Sequence, residues 1–588
     1  MLLSQPKKFS AKTTSVPAPI GGWNGRDSLA QMSPLDAVEM VNFYPTPTDV
    51  TMRKGYTKSS TGITGSVNTL MNYPTTSGYK LFAVAGTKIW DASTSTASQV
   101  YSSLTSDKLQ FVNITNTAGS FLVTCNGVDP VTIYDGSNWF TVATTTTAQT
   151  ISSITKSGTT ATLTTASPHG LLTNNRVTIS GASSSEYNGT FVITKTGAST
   201  FTYVMASAPA ANATVVGTYT TIGITGVDSS TFINVNLFKN RLYFTQKNTL
   251  SCWYLPVDSI GGAASPLYFG SIARNGGYLQ AMGTWTIDAG QGADDYAVFV
   301  TNMGEVIVYN GTDPTSATTW ALKGVWQLGQ TFNRKCFFKW GGDLLLLTQD
   351  GLVPLASALQ SSRLDPRVNL TDKIYFPISQ AATNYYANFG WQINYFASEN
   401  MLILNIPTND GMEQYVMHTI TKAWARFTNI EAYCWESSGD NTMHFGGDGY
   451  VGNFYADTAD DGNNITAAVQ QAYSYFDSPG QQKRFTMVRP ILQSQGGVPA
   501  VLCGLSVDFQ PIDNLGAVSF NPSTQTGSTW DTAKWDENIW SGGLITTRVW
   551  QGVTGIGFAG SINLTAAAQG IELHWASSDY VFEPGGVL

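Results

Sequence analysis

Tyr79-Lys80-Leu81-Phe82-Ala83-Val84-Ala85-Gly86-Thr87-Lys88-Ile89-Trp90 decides the fold: a short apolar strand, a tight Gly turn and a second strand that carries an aromatic. The same unit returns at Phe121-Leu122-Val123-Thr124-Cys125-Asn126-Gly127 leading to Val131-Thr132-Ile133-Tyr134-Asp135-Gly136. It returns again at Arg241-Leu242-Tyr243-Phe244-Thr245 leading to Trp253-Tyr254, and at Tyr296-Ala297-Val298-Phe299-Val300 leading to Val306-Ile307-Val308-Tyr309-Asn310-Gly311. Later copies are 344–352, Met401-Leu402-Ile403-Leu404-Asn405-Ile406 leading to Ala423-Trp424-Ala425-Arg426-Phe427, and 443–451. Each hairpin has an apolar strand that cannot bury both faces alone, and stacking such units around an axis is the solution a β-propeller uses. Six or seven blades are expected on this count; a stack of sandwiches is the competing arrangement.

Composition supports an all-β chain. The 588 residues suggest two to four domains. Charged residues are only 12%, about half the globular average of roughly 25%, while Gly (57), Thr, Ser, Val and aromatics replace the Ala, Leu, Glu and Lys of helices. The 42% hydrophobic content excludes disorder. The net charge of −8, without a dense Lys/Arg stripe, excludes a protein that grips nucleic acid through its phosphates. Cys125, Cys252, Cys336, Cys434 and Cys503 are odd in number and scattered, and read as buried thiols rather than a disulfide framework. The N-terminus lacks the apolar run of a signal peptide and no window reaches 18 consecutive apolar residues, so a soluble protein made in a cytoplasm, with no membrane-spanning segment, is expected.

Five segments are expected: an N-terminal docking arm at 1–60, first propeller blades at 61–145, an inserted small β-sandwich or Ig-like module at 146–222, remaining blades at 223–460, and a C-terminal β platform or tip domain at 461–588. The insert is Thr/Ser-rich and alternates in Thr160-Ala161-Thr162-Leu163-Thr164 and Arg176-Val177-Thr178-Ile179-Ser180. With Ser167-Pro168-His169-Gly170-Leu171, Tyr187-Asn188-Gly189-Thr190-Phe191 and Phe201-Thr202-Tyr203, it resembles a β module of bacteriophage structural proteins.

Catalytic signals are weak, and no enzyme, cofactor or metal is expected. His169, His418, His444 and His574 fall in different units without a shared motif; His169 reads as a turn residue and His444 as a structural one. Asp457, Asp460, Asp461, Asn463 and Asn464 have Ca²⁺-type donors but not the D-x-D-x-D-G spacing, which favours turn chemistry. Trp530, Trp535 and Trp540, five residues apart, suit either sugar stacking or three indoles that plug gaps.

The N-terminal block carries the strongest signal: Val16-Pro17-Ala18-Pro19-Ile20-Gly21-Gly22-Trp23-Asn24-Gly25-Arg26-Asp27, then 32–38, Val41-Asn42-Phe43-Tyr44-Pro45 and Met52-Arg53-Lys54-Gly55-Tyr56. Gly21-Gly22 permits a sharp turn and close backbone approach. This block, with the blade-like middle, the insert, Gln482-Lys483-Arg484-Phe485 and the closing Trp/Asp run, resembles the tail nozzle proteins (tail tubular protein B, or tail hub) of short-tailed bacteriophages. The resemblance implies a structural virion protein of the tail. It would form a homo-hexameric ring below the portal adaptor, close the head, provide the channel and gate for genome ejection, and help carry tail fibres. Viral DNA would pass without sequence-specific binding, and six copies would carry about −48 (6 × −8), a repulsive lumen for phosphates. Gly21, Gly22, Trp23, Asn24, Arg26, Asp27, Trp530, Trp535 and Trp540 are the expected partner-interface residues. A glycan-binding adhesive tail component is the second reading, and a propeller enzyme acting on host polysaccharide the third.

Overall fold

The computed structural model describes residues 10–288, 293–316, 318–359, 368–510, 515–518, 545–547 and 549–587. Nearly all of its regular structure is β; among the described residues the α-helices are Leu355–Ala358 and Tyr375–Tyr385. Contacts divide the chain into two units, 1–61 with 369–588, and 62–368.

The unit of residues 62–368 has β-propeller architecture. Five antiparallel meander sheets follow in chain order. The first runs through Thr69–Thr75, Gly78–Ala85, Lys88–Asp91 and Ser98–Ser102, and the second through Gln110–Asn116, Gly119–Cys125, Thr132–Tyr134 and Trp139–Thr141. The third is Phe232–Phe238, Arg241–Gln246, Ser251–Tyr254 and Ser265–Tyr268; the fourth Leu279–Asp288, Ala293–Thr301, Glu305–Gly311 and Trp320–Gln327. The fifth has three strands, Phe337–Trp340, Asp343–Thr348 and Gly351–Pro354. Successive blades share cores: Met71, Phe82 and Val84 of the first pack with Leu122, Tyr134 and Trp139 of the second, and Val123 and Phe140 with Phe232 and Phe244 of the third. Leading strands also meet through side chains, as where Asn113 Nδ2 donates to the Asn72 carbonyl (2.8 Å) and Asn236 Nδ2 to that of Met282 (2.8 Å).

Between the second and third blades lies a seven-stranded module with its own core of Ile154, Leu163, Val177, Phe201, Tyr203 and Tyr219. Its strand Gln149–Ser157 pairs through Gln149 and Thr150 with Val216–Thr221 and from Ile151 onward with Thr160–Thr165, so one strand joins both halves. The module's two ends lie side by side, because Ala143 N donates to the Ile222 carbonyl (2.9 Å) and Ile224 N to that of Ala143 (3.0 Å).

The other unit weaves the N-terminal block into the C-terminal half of the chain. Lys12–Pro17 pairs antiparallel with Glu572–Val587, from Lys12↔Phe582 to Pro17↔Ser577. Asp36–Val41 lies inside a ten-stranded sheet, beside Ile465–Gln471 and, in parallel at Val41↔Arg426, beside Trp424–Phe427. Residues 10–60 are therefore strands and turns of this unit, where the sequence suggested a separate docking arm.

The other expected boundaries shift for a related reason. Met401–Pro407, Met412–His418 and Trp424–Phe427 carry the blade-like pattern but extend the ten-stranded sheet, and the expected break at 460/461 falls inside that sheet's unit. Cys434–Ser437, Met443–Gly446 and Asp448–Asp457 do form a four-stranded sheet, completed by Gly55–Ser66 from the N-terminal block. An antiparallel meander has one sequence pattern whether its last strand faces solvent or finds another partner. All five cysteines are buried and none is in a disulfide, and burial pushes the thiols of Cys125, Cys336 and Cys503 up to about 12.

Candidate functional site

The N-terminal signature is a joint inside its own unit. Gly22 adopts φ +76°, and a Cβ there would sit 2.6 Å from the Trp424 carbonyl oxygen, so a side chain is excluded twice over. Trp23 stands edge-on to Tyr415, with centroids 5.1 Å apart. Asn24, 2% exposed, accepts the N–H groups of Arg26 and Asp27 on Oδ1 and donates through Nδ2 to Asp27 and Asp36, both at 2.9 Å. Arg26 pairs with Asp27 (2.8 Å) and Asp372, and its bond holds the Asp27 carboxyl below the usual range. Lys373 Nζ donates to Asp36 (2.8 Å) and to the Gly21 carbonyl (3.0 Å). Gly22 and Trp23 thus meet strands Trp424–Phe427 and Met412–His418, while Arg26 and the Gly21 carbonyl tie the block to Asp372 and Lys373 before helix Tyr375–Tyr385. Trp530, Trp535 and Trp540 lie outside the described residues.

A cleft of about 300 Å³ opens in the same unit, formed where five stretches converge: 44–54, 398–400, 418, 455–458 and 571–574. Its floor is Arg53, 1% exposed. All five guanidinium N–H groups are used. Nε donates to Asn42 (2.9 Å), Nη1 to the Lys54 carbonyl (3.0 Å) and Asp460 (2.8 Å), and Nη2 to the Thr428 carbonyl (3.0 Å) and Asp460 (2.7 Å). A buried charge is tolerated only when paired and fully bonded, and both conditions are met.

The walls are titratable. Strand Met412–His418 ends at His418, which is buried; Thr421 N donates to its Nδ1 (3.3 Å), so the ring proton belongs on Nε2, and burial holds its pKa below the usual histidine range. His574 pairs through Nδ1 with Asp49 (3.0 Å); the bond raises the imidazole pKa and lowers that of Asp49. Glu399, in the turn Ala397–Glu399, has its carboxyl raised by burial. Glu572 lies 3.6 Å from Lys54 Nζ, which also stands 5.9 Å from the Tyr455 ring. Tyr44 donates to the carbonyls of Glu399 and Asn400 (both 3.2 Å), and burial raises its phenol pKa. Tyr455, within strand Asp448–Asp457, is held at φ +63°, a conformation a bulky side chain rarely adopts.

Sequence reading placed the four histidines apart, yet His418 and His574 line one cleft; their 156-residue separation (574 − 418) leaves no local signal. His169 does act in a turn, where its Nδ1 accepts from Leu171 N (2.9 Å), and His444 is buried beside Ser438. The 457–464 cluster provides ion-pair and turn chemistry. Asp460 serves Arg53, Asp461 pairs with Lys58 (2.8 Å), and Asp460 N and Asn463 N each donate to the other residue's carbonyl. Among the described residues no group of three or more His, Cys, Asp or Glu is placed to hold a metal ion, and no helix is long and apolar enough to cross a membrane.

No family model matches the chain, and no curated protein matches it. Similar solved structures include the extracellular domain of the hybrid two-component system BT4673 from B. thetaiotaomicron. That likeness has 10% identity, covers 68% of this chain and 40% of that one, and gives a TM-score of 0.28. YCF48 from Cyanidioschyzon merolae shares 9% identity over 68% of this chain and 98% of its own, TM-score 0.26. The β-propeller domain of Myceliophteria_thermophila Cps50 (Swd1) shares 8% over 68% and 99%, TM-score 0.28. Likenesses this remote carry nothing about function.

Proposed function

We propose that this protein is a tail nozzle component of a short-tailed bacteriophage, a structural virion protein and not an enzyme. In this reading six copies form a ring beneath the portal adaptor, carry fibres or other tail proteins, and conduct the genome through an acidic lumen. The observation that carries the proposal is the surface of the unit holding the N-terminal block. It exposes large apolar side chains at Leu29 (38%), Phe376 (60%), Tyr386 (55%), Ile420 (68%) and Ile556 (64%), in a chain with only 12% charged residues. Exposed apolar side chains in a charge-poor chain are the composition that permanent subunit contacts use. The resemblance of the N-terminal block to nozzle proteins supplies the identity of the partners.

Negative-stain electron microscopy of the purified chain, alone and with a portal–adaptor complex, tests the reading. A six-fold ring with an axial channel, formed mainly on the adaptor, is expected. Monomers that ignore the adaptor would overturn it.

A further inference from the structure

We infer that the cleft floored by Arg53 binds a neutral saccharide unit, gripped by His418, His574, Glu399 and Glu572 and packed against Tyr455. The cleft's volume, about 300 Å³, is at the lower end of small-molecule sites, which suits one sugar ring and not an extended chain. Its walls present donors and acceptors together. Nε2 of both histidines has no partner among the described residues, their Nδ1 atoms being engaged by Thr421 and Asp49. The Glu399 carboxylate makes no side-chain hydrogen bond among those residues, and that of Glu572 only a long contact to Lys54. A sugar hydroxyl both donates and accepts, so a mixed rim of N–H groups and carboxylates matches it. The aromatic wall offers packing for the C–H face of the ring.

Other ligand classes fit less well. A phosphate or carboxylate would face Glu399 and Glu572, while an ammonium would face Lys54 and the Nε2–H of His418. A metal ion lacks a ligand set among the described residues. The site is also built to keep its shape: Arg53 is locked by five bonds, and Tyr455 is held in a strained backbone conformation. Nothing in this assignment rests on the nozzle reading, and either can fail while the other stands.

Saturation-transfer difference NMR on the full chain tests it, with the methyl glycosides of glucose, galactose, mannose and N-acetylglucosamine as probes. Transfer to at least one probe is expected, with affinity reduced about tenfold in Glu399→Gln and in His418→Gln, as the loss of one buried polar contact implies. Ser398→Trp provides a second variant that removes no internal contact. Ser398 is exposed at the rim, so an indole there should block entry while the near-ultraviolet circular dichroism keeps its folded signature. No transfer to any of the four probes, or transfer that survives Ser398→Trp, overturns the assignment.

Discussion

Arg53 and His574 show how single residues tie the ends of the chain together. Replacing Arg53 by Met leaves Asp460 buried without its counter-charge, and a loss of about 3–5 kcal/mol is expected in urea unfolding. The double change Arg53→Met with Asp460→Leu should recover part of it, since the orphaned charge leaves with its partner. The His574–Asp49 pair gives a pH-dependent contribution whose sign is fixed by the two shifts. The imidazole pKa is raised by folding, so its stabilisation is complete below the ordinary histidine value of about 6.5 and is lost as pH rises through the raised value. The Asp49 contribution is present above the ordinary aspartate value of about 3.9 and is lost as pH falls through the lowered one. Both operate between those two ordinary values. Glu572 and Lys54 also face the ring, the first favouring its charge and the second opposing it. Comparing urea midpoints of the natural chain and His574→Gln, the difference should be about 1 kcal/mol or less near pH 5.5 and should shrink towards zero by about pH 8. His418, shifted the other way by burial, is unaffected by that substitution and drops out of the comparison.

Among the elements, Lys12–Pro17 holds a decisive position. Its Val16 is buried against the core of the unit that holds the N-terminal block. Val16→Asp should cost about 2–3 kcal/mol, read as a lower unfolding midpoint for that unit with the propeller unit unchanged. Much at this level was legible in the sequence: Leu81 to Val84, Leu122 to Cys125 and Val298 to Val300 sit in buried strands of the first, second and fourth blades, as their apolar runs and Gly turns indicated. The strands at 401–427 were legible as strands but not as members of a different sheet, because the partner that claims Trp424–Phe427 is Asp36–Val41, almost 400 residues away. The cleft was illegible for the same reason. Arg53, His418, Tyr455 and His574 carry no common spacing, and only the closing of one end of the chain onto the other brings them within reach.

At the level of the molecule, the inserted module is the most separable part. Its core is its own, and its ends meet through the Ala143, Ile222 and Ile224 backbone bonds. It touches the second blade through Asn175, which donates to the Thr141 carbonyl (3.0 Å), and through the Arg176–Asp135 ion pair (2.9 Å). Replacing residues 146–221 by a two-residue Gly linker should therefore leave the blades folded, with an unchanged far-ultraviolet β signature and a single propeller transition in calorimetry. Loss of the propeller transition would show the module to be a required wall of the second blade.

The pairing of Lys12–Pro17 with Glu572–Val587 also sets a timetable on the ribosome. The first strand emerges early, yet its partner is synthesised some 560 residues later, roughly half a minute to two minutes at bacterial-scale rates of about 5–20 residues per second. Residues 62–368 can close on themselves during that wait, whereas Val16, Phe43 and Val50 must stay unburied until translation is nearly finished. The nascent amino-terminal segment is thus a natural client for a chaperone, and a chain truncated before residue 572 would leave that segment permanently without its partner.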